Sequence, residues 1–432
     1  MRRPVSATPL SGGSVGEAHA ATRAVRAAIG SDREHRAVVP PLHLSANFVF
    51  DAPGECGRYD YTRSGNPTRD HLAEAIASAE GGVGALVTAT GMAAVTVVTQ
   101  LLRTGDLLLA PHDCYGGCHR LFRAESARVG FEVCFEDLST EAALELARRR
   151  RPRIIWLETP SNPLLRVTDI EVWAGVAAEV GAVLVADNTF LSPVNQRPIA
   201  LGAGVVIHST TKFINGHSDV VGGAVVAADP GLLEELAWWT NCLGVSGAPF
   251  DAYLTLRGLR TLHARSALHE ANALAVVELL GSHPLVERVH HPSLPEHPGH
   301  EIARRQQSGW GSLVSFELAG GRSTVDAFLG RLRHFSLAES LGGVESLVAH
   351  PATMTHASMD ERARAVAGIG DGLLRFSVGI ENGDDLVADV REALDAVEAE
   401  RPGPSAPARR FHHEATSLMF SSAVGPRSEG DQ

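Results

Sequence analysis

The sequence has almost no lysine. Of 38 cationic side chains all but one are arginine, and the exception is Lys212, in His208-Ser209-Thr210-Thr211-Lys212-Phe213-Ile214-Asn215-Gly216-His217-Ser218-Asp219. Arginine stays protonated and cannot form an imine, whereas a buried lysine can lose its proton and attack a carbonyl. A chain that uses arginine everywhere else and keeps one lysine points to a position that requires a primary amine. Cysteine is also sparse: five residues, at 56, 114, 118, 134 and 242, an odd number without paired spacing. That excludes a disulfide framework and suits a reducing compartment, so a cytoplasmic location is expected. No apolar run reaches the length of a membrane span, since Val180 to Ala186 is closed by Glu179 and Asp187. The start, Met1-Arg2-Arg3-Pro4, is followed by no apolar segment of a signal peptide. A net charge of −12 disfavours a nucleic-acid or anionic-membrane partner.

What is present fits a large soluble enzyme. At 432 residues and 44% hydrophobic content the chain can bury more than one core. Residues 1–59 show little periodicity and include Pro40-Pro41, and read as an N-terminal arm that packs on a neighbouring subunit. Over 60–255, helical patterns alternate with short apolar runs. A helix is predicted from Asp70 to Glu80, ended by Gly81-Gly82, and another from Met92 to Leu102. Strands are predicted at 85–88, 107–110, 154–157, 183–186, 205–208 and 223–227. Near-continuous apolar strands, each followed by a polar turn, are the pattern of a mostly parallel sheet covered by helices on both faces. Residues 256–400 read as a smaller C-terminal α+β domain: a long helix over 251–281 leads into it, strands are predicted at 313–318 and 373–378, and a closing helix from Ala388 to Glu398. Residues 401–432, rich in Pro, Ser, Ala and Arg, read as a disordered tail.

In open parallel sheets ligands bind at the carboxyl ends of strands, so the residues just after each strand carry the chemistry. Thr90-Gly91-Met92 opens a helix and offers N–H groups and a helix dipole to a phosphate. Tyr115, in Pro111 to Gly117, places an aromatic ring where it can stack on a planar cofactor. Asp187 follows an apolar strand and calls for a cation or a proton-bearing ring nitrogen. Ser209, Thr211 and Lys212 put two hydroxyls and an amine on one turn. The ordered set fits pyridoxal 5′-phosphate: Gly91, Met92, Ser209 and Thr211 for its phosphate, Asp187 for the pyridinium nitrogen, Tyr115 for the ring face and Lys212 for the Schiff base. His290, His291, His297 and His300 have irregular spacing among prolines and read as a surface loop; no metal is expected.

The motifs Tyr61-Thr62-Arg63-Ser64-Gly65-Asn66-Pro67-Thr68, Pro111 to Gly117, Glu158-Thr159-Pro160-Ser161-Asn162-Pro163, Asp187-Asn188-Thr189-Phe190, Ser209 to Gly223, Arg257 to Leu262, Ala338 to Leu347 and Thr353 to Ala357 carry a resemblance. From about Ala24 to Ala399 the chain resembles the cystathionine γ-synthase and γ-lyase family of pyridoxal-phosphate enzymes, of fold type I. The resemblance implies that Tyr61 and Arg63 reach the phosphate of a neighbouring subunit's cofactor, within a homotetramer of two active dimers. It implies that Arg375 holds the substrate α-carboxylate, helped by Asn162 and Ser340, and that Lys212, with Tyr115, moves protons. Glu339 and Asp60 become candidates for the amino group of an incoming cysteine, and Arg120 for a succinyl carboxylate. The stretches 112–115, 161–167 and 237–239 are more similar to the bacterial synthases than to the γ-lyases. Gly117 stands where methionine γ-lyases carry a cysteine. Ser64, as in many γ-lyases, stands where several bacterial synthases carry a second arginine, which leaves the acyl group of the donor open. The activity implied is γ-replacement on an O-acyl-L-homoserine by L-cysteine. A γ-lyase, an O-acylhomoserine sulfhydrylase or a γ-replacement enzyme with another nucleophile are the alternatives, and a scaffold without turnover is the alternative of another class.

Overall fold

The computed structural model describes residues 18–355, 364 and 367–401. The first 17 residues of the expected arm, the expected tail beyond Arg401, and His356-Ala357 at the end of the last motif lie outside the described residues.

Two strands near the N-terminus, β1 (Phe50–Ala52) and β2 (Glu55–Cys56), form a small antiparallel ribbon. The central sheet follows, from β3 (Gly84–Thr88), β4 (Leu107–Pro111), β5 (Glu132–Glu136), β6 (Ile154–Glu158), β7 (Val183–Asp187), β8 (Val205–His208) and β9 (Gly223–Ala227), in the order β3-β9-β8-β7-β6-β4-β5. β9 is antiparallel to both of its neighbours and the other pairings are parallel. Strands β4, β6, β8 and β9 are buried along their whole length, because helices cover both faces. One core holds Leu109, Ile155, Leu157, Leu184 and Val206; the opposite face holds Leu108, Ile154, Trp156, Val185 and Ile207. The alternation of neighbouring residues between the two cores is the period-two geometry of a strand buried on both sides.

The helix Pro67–Glu80 begins three residues before the predicted one. Asn66 caps it, its side chain accepting from the N–H groups of Thr68 and Arg69, with Pro67 at the first helical position. Gly81, at φ 84°, ends it as expected. The single helix expected over 251–281 is two, Pro249–Leu259 and Leu262–Ser282. Gly258 is pressed so close to the loop after Lys212 that a Cβ there would lie 2.2 Å from the Asn215 carbonyl oxygen. Its own carbonyl then accepts from Thr261 Oγ1 and from Arg265 Nη2, which takes the chain out of one helical axis.

A second sheet is built from β10 (Val286–His290), β11 (Leu313–Leu318), β12 (Ser336–Leu337), β13 (Leu347–Ala349) and β14 (Leu373–Ser377), in the order β10-β11-β14-β13-β12. It has its own core, in which Phe376 stacks on Phe335 at 4.2 Å and packs on Phe316, and the closing helix Gly383–Glu400 covers it. Arg375 interrupts this apolar strand and faces the central sheet's loops. Among the described residues no helix is long and apolar enough to cross a membrane.

Candidate active site

Three strand ends and one helix start converge. Asp187 ends β7, Glu158 ends β6, and the two are partners in register. The chain leaving β8 at His208 turns directly through Ser209 and Lys212, the Lys212 N–H donating to the Ser209 carbonyl at 3.2 Å. The helix Gly91–Thr99 starts against this turn. Thr90 caps it, accepting from Ala93 N at 2.8 Å, which leaves the first N–H groups of the helix, those of Gly91 and Met92, without an intrahelical partner. A Cβ on Gly91 would lie 2.8 Å from Ser209 Cβ, so only glycine lets Ser209 come this close to the helix N-terminus. The result is a small concave set of donors suited to an anion. Thr211 contributes less freely than the sequence implied: its hydroxyl donates to Gly222 O at 3.2 Å and accepts from Gly222 N at 3.0 Å.

Asp187 is partly buried, and among the described residues it has no ion pair; Thr189 N donates to its Oδ1 at 3.0 Å. Burial pushes its carboxyl above the usual range, an effect that a cation placed at its free oxygen would reverse. Thr189, which stands in the motif Asp187 to Phe190 with no role assigned to it, ties the two halves together, because its Oγ1 accepts from Ser209 N at 2.9 Å.

Lys212 Nζ donates to Ser340 Oγ at 2.7 Å. Its pKa falls from the ordinary 10.5 to about 8, first through burial and then through the positive charge of Arg375. Ser340 has φ 83°, a left-handed backbone that a non-glycine residue adopts only when its surroundings enforce it. That conformation lets one residue serve two cations: the Ser340 hydroxyl accepts from Lys212 and its carbonyl accepts from Arg375 Nη2 at 2.9 Å. Arg375 is 2% exposed and its Nη1 donates to Asn162 Oδ1 at 2.7 Å. Among the described residues its Nε has no hydrogen-bond partner. A buried guanidinium with an unused N–H beside an amine of lowered pKa can take a carboxylate and present the neighbouring carbon to the amine.

Tyr115 stands at the N-cap of the helix Gly116–Val129, half exposed, its ring lying over Gly117 and near Met92. Glu339 is exposed but near enough to raise the pKa values of Lys212 and Arg375, and Arg120 is near enough to lower that of Tyr115. Asp60, Tyr61 and Arg63 sit elsewhere in the chain. Asp60 Oδ1 accepts from Tyr61 N at 2.6 Å, Arg63 lies over the Tyr61 ring at 5.7 Å, and Arg63 Nε donates to Asn241 Oδ1. Among the described residues none of the three is recorded in contact with the Lys212 group. Glu158 opens the motif Glu158 to Pro163, which by itself points to no role for it. It is a buried carboxylate at the heart of the site.

Residues 21–395 match the family model described as Cys/Met metabolism PLP-dependent enzyme. The chain is 55% identical over 377 residues to cystathionine gamma-synthase of Escherichia coli, covering 87% of this chain and 98% of that protein. It is 45% identical over 382 residues to the cystathionine gamma-lyase of Homo sapiens, covering 88% and 94%. Among solved structures it resembles cystathionine gamma synthase of Xanthomonas oryzae pv. oryzae, in complex with aminoacrylate and cysteine, at TM-score 0.87 and 56% identity, over 88% of this chain and 99% of that one.

Proposed function

The chain belongs to the Cys/Met metabolism PLP-dependent enzyme family, and from that premise we propose that it is a cystathionine γ-synthase. It joins an O-acyl-L-homoserine, succinyl or acetyl, to L-cysteine and gives L-cystathionine by replacement at the γ-carbon. The observation that carries this reading is Ser340, which holds Lys212 by its hydroxyl and Arg375 by its carbonyl.

The cofactor is pyridoxal 5′-phosphate, and the residues present fit it. Gly91, whose Cβ would fill the space beside Ser209, frees a cradle for the phosphate, and Asp187 is a carboxylate in want of a cation. When bound, the cofactor supplies an electron sink for charge that develops on the substrate. Gly91 and Met92 N–H, Ser209 and Thr211 hold its phosphate, Asp187 its ring nitrogen and Tyr115 its face. Arg375, with Asn162, grips the substrate α-carboxylate and aims the α-carbon at Lys212. The Lys212 amine, neutral in part near its pKa of about 8, removes the α-proton and returns protons along the chain, with the Tyr115 hydroxyl as its partner in proton transfer. The acyloxy group leaves from the γ-carbon and the cysteine sulfur takes its place. Glu339, with Asp60 of a neighbouring subunit, holds the amino group of the incoming cysteine, and Arg120 the carboxylate of a succinyl donor.

The enzyme acts as a homotetramer in the cytoplasm. Tyr61 and Arg63 are supplied to the phosphate across the dimer interface. The exposure of Tyr61 and the bond of Arg63 to Asn241, with neither side chain in contact with the Lys212 group among the described residues, support that placement. Ser64 favours a second reading, a γ-lyase. Mass-spectrometric analysis of products from O-succinyl- and O-acetyl-L-homoserine with L-cysteine separates the two. Cystathionine from either donor supports the synthase and names the acyl group. Donors left untouched while cystathionine is cleaved would support the lyase.

A further inference from the structure

Glu158 is 8% exposed, and both of its oxygens accept hydrogen bonds, one from its own strand and one from the loop after β4; the Cys118 thiol is hydrogen-bonded to it as well. Oε2 accepts from the backbone N–H of Tyr115 at 2.7 Å, and Oε1 accepts from Trp156 Nε1 at 3.2 Å. Burial, and then the charge of its register partner Asp187, push its carboxyl above the usual range, while the two N–H donors offset part of that. A carboxylate so costly to bury is retained where it does something that a neutral side chain cannot. Of its donors, the one that belongs to the site is the backbone N–H of Tyr115. Tyr115 has no side-chain cap bond at the start of its helix, and the two residues after it, Gly116 and Gly117, add little stiffness to the backbone. The ring has a defined bed, because a Cβ on Gly117 would lie 2.5 Å from Tyr115 Cε1 and 2.9 Å from Met92 Sδ. The bed fixes where the ring can lie only if the backbone that carries it is fixed.

We propose that Glu158 is a positioning residue: its carboxyl group pins the Tyr115 backbone and so fixes where the phenol ring would meet the face of the cofactor whose ring nitrogen Asp187 would hold. The two carboxylates, at adjacent ends of β6 and β7, thereby register the ring's face against its edge. This rests on the reading of Tyr115 as the stacking residue.

The test uses the holoenzyme and the cofactor-free protein, with Glu158→Ala, Glu158→Asp, Glu158→Gln, Tyr115→Ala and the Glu158→Ala/Tyr115→Ala double variant. The readouts are the visible circular dichroism per bound cofactor and the dissociation constant for pyridoxal phosphate. Loss of the hydrogen bond to the Tyr115 backbone predicts that Glu158→Ala diminishes the dichroism and weakens cofactor binding about ten-fold. Glu158→Gln, which keeps an acceptor oxygen, restores much of the signal. The double variant is no worse than Tyr115→Ala alone, the coupling expected when one residue acts through the other. Should Glu158→Ala fail to fold, Glu158→Asp, which keeps the charge but shortens the reach, shows the same dichroic change. Wild-type dichroism and affinity in the Glu158 variants, or strict additivity in the double variant, would overturn the inference. If Tyr115→Ala itself changes neither readout, the stacking assignment fails and takes this inference with it; if it changes both while the Glu158 variants do not, this inference alone fails.

Discussion

Replacing Lys212 by Met should make the cofactor-free protein more stable at neutral pH, although it removes the residue on which the reaction depends. In the folded chain the ammonium is partly buried and faces the Arg375 charge, which lowers its pKa from 10.5 to about 8. Below about pH 8 the amine is charged in both folded and unfolded chains, so the whole penalty, about 3 kcal/mol, is borne by the fold. As pH rises from about 8 toward 10.5 the unfolded chain holds a proton that the folded one has lost, and stability increases. Methionine has a similar volume and no charge to bury. It forfeits the hydrogen bond to Ser340 Oγ, about 1 kcal/mol. The expected net gain is about 2 kcal/mol at pH 7, falling to near zero by about pH 9.5, where most of the wild-type penalty has gone. Urea denaturation of the two cofactor-free proteins, at one protein concentration and at both pH values, measures the difference. A Lys212→Met protein that is less stable than wild type at pH 7, or whose difference from wild type does not change with pH, would refute the electrostatic reasoning.

Three other perturbations follow from the same geometry. The turnover rate should rise with pH as Lys212 loses its proton near pH 8, and Arg375→Gln should move that limb to higher pH, since one of the two causes of the lowered pKa is gone, while raising KM for the amino-acid donor; pH-rate profiles of both proteins check it. Gly91→Ala should weaken cofactor binding, because its methyl group would have to occupy space 2.8 Å from Ser209 Cβ; equilibrium binding of pyridoxal phosphate reads the loss, with thermal unfolding as control. Asn66→Ala should cost about 1–2 kcal/mol, as it removes the cap of the helix Pro67–Glu80 and also the bond from Asn66 Nδ2 to the His43 carbonyl at 3.0 Å; a fall in Tm measures it.

Much of the fold can be read from the chain. The strands at 205–208 and 223–227 are present at the predicted bounds because a continuous apolar run of that length, buried on both faces, leaves little choice. β5 and the helix that precedes it were not foreseen: the alternation in Glu132-Val133-Cys134-Phe135-Glu136 is that of an edge strand, and its partner is fixed only by the sheet. The break near Arg260 was hidden for the same reason, since it depends on Asn215 and Arg265 rather than on local propensity. Lys212 and Asp187 stood out because each is chemically out of place in its surroundings. Glu158 did not. Its position opposite Asp187 depends on the register between β6 and β7, and its tie to Tyr115 depends on a loop after β4. Ser340 likewise gave no sign of its left-handed backbone, which arises from contacts with two other parts of the chain. For Asp60, Tyr61 and Arg63 the resemblance supplied roles that one chain alone does not display.

Because the chain has a single lysine, the central claim can be tested by weighing it. Borohydride reduction of the holoenzyme, followed by mass spectrometry of the whole chain and of its peptides, should add one reduced pyridoxal phosphate per chain, carried on Lys212 and absent from Lys212→Ala. Full activity in a protein whose reduced chain carries no such mass, or carries it at any other residue, would contradict the account.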